Sequence, residues 1–268
     1  ASDVYKRQIR VIPYGRDQKL LLCRDITQAS RLETMRRDFV ANVSHELKTP
    51  LTVVSGFLET LADREVTLSE QRAREVFVLM QQQTVRMLQL IEDLLTLSAL
   101  ESSPSLSDAS PVDVPEMLKT LLDEGLALSA GRHEITVDSD TRLNVSGSVA
   151  ELHSAFGNLL ANAIRYTPAG GSVRMTWRRR NTGEGEFAVE DSGIGFEARH
   201  IPRLTERFYR IDQGRSRETG GTGLGLAIVK HVLTRHQAQL EIESRPGQGS
   251  RFAAVFPASR VMAAKAAD

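Results

Sequence analysis

The sequence predicts an α+β protein in which a long two-helix hairpin precedes an α/β sandwich. Residues 31–101 are rich in charge, and their apolar residues recur at helical spacing. A serine-rich linker with one proline follows over residues 101–108. From about residue 110, helical and strand patterns are mixed, as expected for helices covering one face of a mixed sheet. The 268 residues suffice for two modest domains.

The first 29 residues are too short to be a domain. Residues 9–12 and 19–26 are predicted to be two strands around a turn at 14–17. We therefore expect residues 1–29 to be the C-terminal remnant of a domain that precedes this chain. The single cysteine, Cys23, excludes an internal disulfide, and its apolar neighbours predict a small buried strand residue.

The two long helices are predicted to form a hairpin over residues 30–103. The first, about 31–63, carries one apolar stripe, and the second, about 69–101, repeats apolar residues with the 4,3 spacing of shallowly packed helices. A lone hairpin leaves its stripe half exposed, so we predict a homodimer with a four-helix bundle. The stripe of the first helix is predicted to consist of Val40, Val43, Leu47, Val54, Leu58 and Leu61.

The second domain is predicted over residues 110–258, and residues 259–268 are predicted to be a disordered tail. Its predicted helices cover about 114–129, 148–165 and 223–236. Its predicted strands cover about 134–138, 142–145, 172–179, 186–190, 239–244 and 250–256.

Composition excludes several classes of partner. Lys plus Arg and Asp plus Glu are both 34, so no net charge steers the chain to nucleic acid or to an acidic membrane surface. No run of about 18 apolar residues and no signal peptide is present, which predicts a cytoplasmic fragment. We expect contact with a membrane only through segments outside this chain.

His45 is the first candidate catalytic residue. It lies about 200° around the helix from Val43 and from Leu47, so it points away from the apolar stripe. A surface histidine without a role is the alternative. A neutral imidazole is a good nucleophile near neutral pH, and Glu46 can orient it and accept its proton. Thr49, one turn on, could position a water for attack on a phosphoryl group.

A second candidate site lies on the helix predicted over residues 148–165. Asn158, Asn162 and Arg165 share one helical face, at i, i+4 and i+7. The two amide oxygens can ligate Mg²⁺, and the arginine can meet phosphate. Taken alone, this spacing is also typical of a solvated polar face.

Two glycine-rich segments complete the candidate site. Asp191, after a predicted strand, could accept a hydrogen bond from an adenine amino group, and Gly193 and Gly195 allow close backbone approach. The second segment runs into a helix whose N-terminus suits phosphate, although turns need glycine in any case. Its candidate residues are Gly221, Thr222, Gly223, Leu224 and Gly225.

The segment between the two glycine clusters is predicted to be a lid. Residues 203–217 hold five arginines, and a loop this long is uncommon unless it is a lid or disordered; a solvated basic loop is the alternative. Arg207, Arg210 and Arg215 are candidates for phosphate contact. A Rossmann motif is excluded because no third glycine follows Gly195, and no GxxxxGK[ST] loop is present.

These segments together resemble those of one enzyme family. Residues 39–51 resemble the H box of dimeric sensor histidine kinases, and residues 206–210, with Phe208, resemble the F box of their lid. Three segments resemble the N, G1 and G2 boxes of the GHKL (Bergerat) ATP-binding fold. In that order they are residues 158–166, which end at Tyr166, residues 191–196 and residues 220–226.

The resemblance implies ATP and Mg²⁺ as cofactors. It further implies autophosphorylation of His45 with Glu46 as base, transfer to an aspartate of a response regulator, and a reverse phosphatase reaction that uses Thr49. A GHKL ATPase clamp is the alternative class, but such proteins carry a Glu one turn before the metal-binding Asn, where this chain has Asn158. A non-catalytic scaffold would require decayed motifs, and none is missing.

Within the family, residues 36–39, 55–61 and 224–233 resemble the sensor kinases of the phosphate regulon, and residues 24–27 resemble the exit of a PAS domain. This likeness implies a bacterial inner-membrane parent that phosphorylates an OmpR-type regulator, the phosphate-regulon regulator, under phosphate limitation. Another OmpR-type cell-envelope kinase is the alternative.

Overall fold

The computed structural model describes residues 5–14, 18–63, 69–102, 106, 109–140, 142–211 and 221–263. The chain divides into two compact units, Ala1–Thr84 and Val85–Asp268. The division falls inside the second long helix rather than in the predicted linker at 101–108. This helix contributes the buried Leu90, Leu97 and Leu100 to the second unit, so its last turns belong there.

The first unit begins with a two-stranded antiparallel hairpin, β1 (Arg7–Tyr14) and β2 (Gln18–Asp25). Every residue of β2 is exposed, and Cys23 is an exposed free cysteine, so its predicted burial is wrong. The reason is that, among the described residues of this unit, no layer covers either face of the hairpin. Asp25 then accepts a hydrogen bond from the N–H of Thr27 (2.8 Å), where the first long helix begins.

The hairpin helices are α1 (Thr27–Ala62) and α2 (Glu70–Ser102). On α1, Val43, Leu47 and Val54 are half-buried as predicted, but Val40 and Leu58 are 57% and 51% exposed. The half-buried Phe39 and Phe57 occupy the stripe positions instead, because each lies one residue earlier on the helix. Among the described residues, we find no helix with the length and apolar character needed to cross a membrane.

The second unit is an α/β sandwich, as predicted. Its helices are α3 (Val114–Ser129), α4 (Val149–Tyr166) and α5 (Gly225–Arg235). Its larger sheet consists of β4 (Glu134–Ser139), β6 (Ser172–Arg179), β7 (Gly185–Asp191), β8 (Gln239–Ser244) and β9 (Ser250–Phe256). The order of these five strands is β4-β6-β7-β9-β8, in which β4 and β6 pair in parallel and the other pairs are antiparallel.

A small second sheet in this unit was not predicted as such. β5 (Leu143–Gly147) lies between β3 (Ser110–Val112) and β10 (Val261–Ala263), and both pairs are antiparallel. The predicted disordered tail is therefore wrong for residues 259–263, which form the end of a short 3₁₀ helix and β10. The backbone pairing with β5 gives this segment its order.

Local signals set the helix starts, and aromatic packing places α4 against the sheet. Asp113 caps α3 by accepting a hydrogen bond from the N–H of Glu116 (3.1 Å). In the core, the ring of Phe156 on α4 stacks on Phe187 of β7 with centroids 3.9 Å apart. Both rings are fully buried, so α4 is held across the sheet and its polar face is turned to the candidate site.

A buried carboxylate on β7 is expected to matter for stability. Glu186 is 2% exposed and accepts hydrogen bonds from Arg178 (3.1 Å), Arg180 (2.6 Å) and Arg251 (2.6 Å). Burial acts to raise its pKa, but the hydrogen bonds from Arg180 and Arg251 outweigh burial and the pKa is lowered. We expect Glu186→Gln to lower the free energy of unfolding by roughly 2 kcal/mol, because hydrogen bonds between charged groups are weakened.

Urea denaturation measures this effect as a shift of the unfolding midpoint. Glu134→Gln is the matched control, because Glu134 is an exposed carboxylate on β4 of the same sheet. Equal midpoints for the two variants would contradict a stabilising role for Glu186.

Candidate active site

The second unit contains a cavity of about 810 Å³, a size suited to a small-molecule ligand. Most of the residues predicted for the site meet at this cavity, although they come from distant parts of the chain. The lining includes Asn158, Asn162, Arg165, Tyr166, Asp191, Gly195, Arg210, Gly221, Thr222, Gly223 and Gly225. The sequence-based grouping of the three segments therefore corresponds to one place in the fold.

The polar face of α4 forms one wall of the cavity. Asn158 donates its side-chain amide to the carbonyl of Ser154 (2.9 Å), which leaves its Oδ1 facing the start of α5. Arg165 Nη1 donates to Asn162 Oδ1 (3.2 Å). A side chain at Gly225 would bring its Cβ to 2.4 Å from Asn158 Oδ1, so a larger residue there would displace the Asn158 side chain.

The pKa of the Arg165 guanidinium is lowered by burial, while Tyr166 and Asp93 act in the opposite direction. A guanidinium with so little water around it is a strong partner for an anionic group. Its position beside Asn162 and Gly221 places this positive charge where α4 meets the glycine-rich segment.

The donor set fits Mg²⁺ only if the ion is held together with an anionic ligand. Among the described residues, no group of three or more His, Cys, Asp or Glu side chains could hold a metal ion. The amide oxygens of Asn158 and Asn162 are neutral oxygen ligands, which Mg²⁺ accepts together with phosphate oxygens and waters. These two residues would hold the ion, and its chemistry would be to neutralise phosphate charge.

Asp191 ends β7 at another wall of the cavity. Its Oδ1 accepts a hydrogen bond from the N–H of Gly193 (2.8 Å). Burial raises its pKa to about 6, although backbone hydrogen bonds from Gly193 and Ser250 act to lower it. A Cβ at Gly193 would lie 2.5 Å from the carbonyl oxygen of Tyr166, so this position needs glycine. Gly193 is buried behind Asp191 and does not itself line the cavity.

The glycine-rich segment leads into α5 and is held by a hydrogen bond that the sequence did not predict. Thr222 Oγ1 donates to Asp93 Oδ2 on α2 (2.6 Å), and the N–H of Leu224 donates to Thr222 Oγ1 (3.2 Å). Leu224 is fully buried, so it anchors the segment rather than lining the cavity. Burial raises the pKa of Asp93, while hydrogen bonds from Thr222 and Gln89 act to lower it.

The lid residues are only partly placed as predicted. Arg210 lines the cavity, as does Tyr209, whose hydroxyl lies 2.7 Å from His200 Nδ1. Phe208 has φ 61°, and its N–H donates to the carbonyl of Gly223 (2.8 Å), which ties the lid to the glycine-rich segment.

Arg207 does not line the cavity. Its guanidinium pairs with Glu101 near the end of α2, and its contact with phosphate stays a prediction. Arg207 would have to leave the carboxylate of Glu101 to reach a phosphate in the cavity. Arg215, the third predicted phosphate contact of the lid, lies outside the described residues.

The predicted nucleophile lies in the first unit. His45 is exposed on α1, as its position off the apolar stripe predicts. Thr49 donates its hydroxyl to the carbonyl of His45 (3.1 Å), so in this structure it bonds within the helix. Glu46 is half-buried next to His45. Pro50 lies inside α1 without ending it, although proline has no amide N–H to donate along the helix.

Asp93, Gln89 and Thr96 of α2 line the cavity and were not predicted. One signal could have identified Asp93. It lies three residues after Leu90 and four before Leu97, both buried, so a charged residue occupies an apolar face of the helix. A carboxylate in such a position requires a specific partner.

Comparisons with known proteins agree with this geometry. Residues 35–103 match the model of the His Kinase A (phospho-acceptor) domain. Residues 147–260 match the model of the histidine kinase-, DNA gyrase B- and HSP90-like ATPases.

The chain is similar to two proteins named phosphate regulon sensor protein PhoR. The protein from Pseudomonas aeruginosa is 49% identical over 96% of this chain and 58% of its own length. The protein from Haemophilus influenzae is 37% identical over 91% of this chain and 56% of its own length. The chain thus spans less than two thirds of the length of these curated relatives.

Solved structures share the fold. Acinetobacter baumannii histidine kinase AdeS superposes with a TM-score of 0.63 over 81% of this chain and 98% of its own, at 22% identity. Full-length ShkA, solved in complex with AMPPNP, superposes with a TM-score of 0.59 over 85% of this chain and 47% of its own, at 26% identity.

Proposed function

Since the chain belongs to the sensor histidine kinases, we propose that it transfers the γ-phosphate of ATP to His45 and then to an aspartate of a response regulator. ATP with Mg²⁺ is the proposed cofactor pair. Glu46 is the proposed general base for the imidazole, and Thr49 is proposed to serve the reverse, phosphatase reaction on the regulator.

One observation carries the proposal. An exposed histidine with an adjacent glutamate lies on α1, in a chain whose other unit holds a cavity suited to a nucleotide. Asp191 offers an acceptor to the amino group of adenine. The N-terminus of α5 offers backbone N–H groups to phosphates, and Arg165 offers them a positive charge.

The chemistry at His45 follows from its own environment. An exposed neutral imidazole can attack phosphorus in line, and its second nitrogen then carries a proton that Glu46 can accept. A phosphoryl group on the imidazole stays reactive enough to be passed to a carboxylate. Asn158 stands one turn before Asn162, where a water-activating base would be needed for hydrolysis, so α4 favours transfer to a side chain over hydrolysis.

Incubation of the purified chain with γ-³²P-ATP and Mg²⁺ tests this proposal. We expect the protein to become labelled, and the label to be labile in acid and stable in alkali, as expected for phosphohistidine. Steady phosphate release without protein label would instead indicate an ATPase clamp of the GHKL class.

We further propose that the kinase acts as a homodimer, belongs to a protein anchored in a bacterial inner membrane, and signals phosphate limitation. The apolar residues of α1 that remain exposed in the single chain support dimerisation, because a second hairpin would bury them. Those proposed to pack in the dimer are Met35, Val40, Leu51 and Leu58. The proposed partner is an OmpR-type regulator, that of the phosphate regulon.

The regulator is proposed to dock on α1 beyond His45, where Val53 is 38% exposed and the carboxylate Glu59 is exposed. We expect Val53→Asp combined with Glu59→Lys to slow transfer of label from the kinase to the regulator by about 10-fold or more, as for central interface positions. Labelling of His45 itself serves as the internal control and stays unchanged. Phe57 is unsuited to this test because it is half-buried in the hairpin. Unchanged transfer would place the docking site elsewhere.

A further inference from the structure

The last turns of α2 supply a buried carboxylate to the wall of the candidate site. Asp93 is 6% exposed, and its Oδ2 accepts the hydroxyl proton of Thr222 (2.6 Å). Its Oδ1 accepts a hydrogen bond from the side-chain amide of Gln89, one turn earlier (3.0 Å). Both carboxylate oxygens are therefore engaged, and the two residues that meet are 129 positions apart in the chain.

Thr222 connects this carboxylate to the start of α5. Its hydroxyl proton points to Asp93, so a lone pair of the same oxygen is free to accept the N–H of Leu224 (3.2 Å). Leu224 is in turn the residue from which α5 starts, because its carbonyl accepts the first helical hydrogen bond, from Ile228 (2.9 Å). The hydroxyl group of Thr222 thus connects α2 to the start of α5 through two hydrogen bonds.

The residues on either side of Thr222 are glycines, which lose more conformational freedom on ordering than any other residue. Gly223 has φ 75°, and Gly221 lies against the guanidinium of Arg165. If Thr222 were not held in place, the flexible backbone of Gly221 and Gly223 would adopt several conformations, and only some of them would face the cavity. The hydrogen bond to Asp93 holds Thr222 in place.

We propose that Asp93 is a positioning residue for nucleotide binding: it holds Thr222 so that the backbone of residues 221–225 faces the cavity. The inference rests on the proposed kinase function. It makes nucleotide affinity depend on the last turns of α2, because displacement of that helix segment removes the acceptor from Thr222. Asp93 acts through Thr222 and does not itself touch the reacting atoms.

A set of matched variants tests this inference by calorimetric titration with MgADP, which binds without reacting. Asp93→Leu removes the acceptor, Thr222→Val removes the donor with nearly the same shape, and Thr222→Ser keeps the hydroxyl. The double variant Asp93→Leu with Thr222→Val replaces both partners by apolar groups. Glu75→Gln, an exposed carboxylate earlier on α2, is the control.

We expect each of Asp93→Leu and Thr222→Val to raise the Kd for MgADP about tenfold, as for the loss of one hydrogen bond to a charged group. Thr222→Ser and the control are expected to stay within about twofold of wild type, and the double variant is expected to resemble one single variant because the two residues act as a pair. A purely structural role would lower the fraction of protein that binds without changing Kd.

An unchanged Kd in both single variants, with wild type binding MgADP, would overturn this inference alone. A wild-type chain that does not bind MgADP would overturn the proposed function, and this inference with it.

Discussion

His45→Gln is expected to reduce phosphorylation of the protein to background while leaving nucleotide binding unchanged. Glutamine retains a hydrogen-bonding side chain of similar reach but has no nitrogen that can attack phosphorus. His45 is exposed on α1, so the substitution removes no buried packing. The measurement is incorporation of ³²P from γ-³²P-ATP, with MgADP affinity measured on the same preparation.

Glu46→Gln removes the proposed general base and leaves the nucleophile His45 in place. A general base contributes about 10²–10⁴-fold to a rate, so we expect this variant to be labelled slowly but at the same site, with the same acid lability.

Label that persists in His45→Gln at the wild-type rate would assign the nucleophile to another residue. Loss of MgADP binding in His45→Gln would indicate a folding defect and not a missing nucleophile.

Most of the fold could be predicted because its signals are local. The helices carry their periodicity over many turns, and the strands of the five-stranded sheet are six to eight residues long. β3 and β10 were missed because each is three residues long, too short for a periodic signal, and each depends on β5 for its partner. The stripe of α1 was predicted one position late at Val40 and Leu58, since either member of each apolar pair fits a helical period.

The candidate site could be predicted where residue type reflects chemistry, and not where it depends on tertiary contact. Asn162 and Asp191 were identified because their motifs are contiguous, and both line the cavity. The pairing of Arg207 with Glu101 joins residues 106 positions apart. Asp93 likewise reaches Thr222 only through the fold. No short-range pattern specifies either pair.

Asp191→Asn is expected to have opposite effects on nucleotide binding and on stability. The carboxylate is the proposed acceptor for the adenine amino group. Its loss removes a charge-assisted hydrogen bond in a buried wall, which predicts a decrease in MgADP affinity of about 100-fold. Equilibrium titration with MgADP measures this effect, and Asp138→Asn on the exposed surface of β4 is the matched control.

The same substitution is expected to stabilise the protein without nucleotide. Burial raises the pKa of Asp191 to about 6, which means that the folded state disfavours the charged form. The folded state therefore binds a proton more tightly than the unfolded state, whose pKa is near 3.9, and stability is lost as pH rises through this interval. Above about pH 6 the neutral asparagine avoids this cost, and we expect a gain of roughly 1 kcal/mol, or about 2–4 °C in Tm.

The pH dependence distinguishes this explanation from a general packing effect. At pH 4 the wild-type carboxyl is already protonated in the folded state, so the gain in Tm from Asp191→Asn is expected to be much smaller than at pH 7.5.

In the wild type, MgADP affinity should fall as pH drops through about 6, because a protonated carboxyl loses an acceptor. The ratio of wild-type to variant affinity cancels titration of the nucleotide phosphates, so it reports Asp191 alone. A ratio that is constant between pH 5 and pH 7.5 would contradict the assignment of Asp191 as a charged acceptor. If the ratio of wild-type to variant MgADP affinity rises with pH, the ionised form of Asp191, which lowers the stability of the protein, is the form that binds nucleotide.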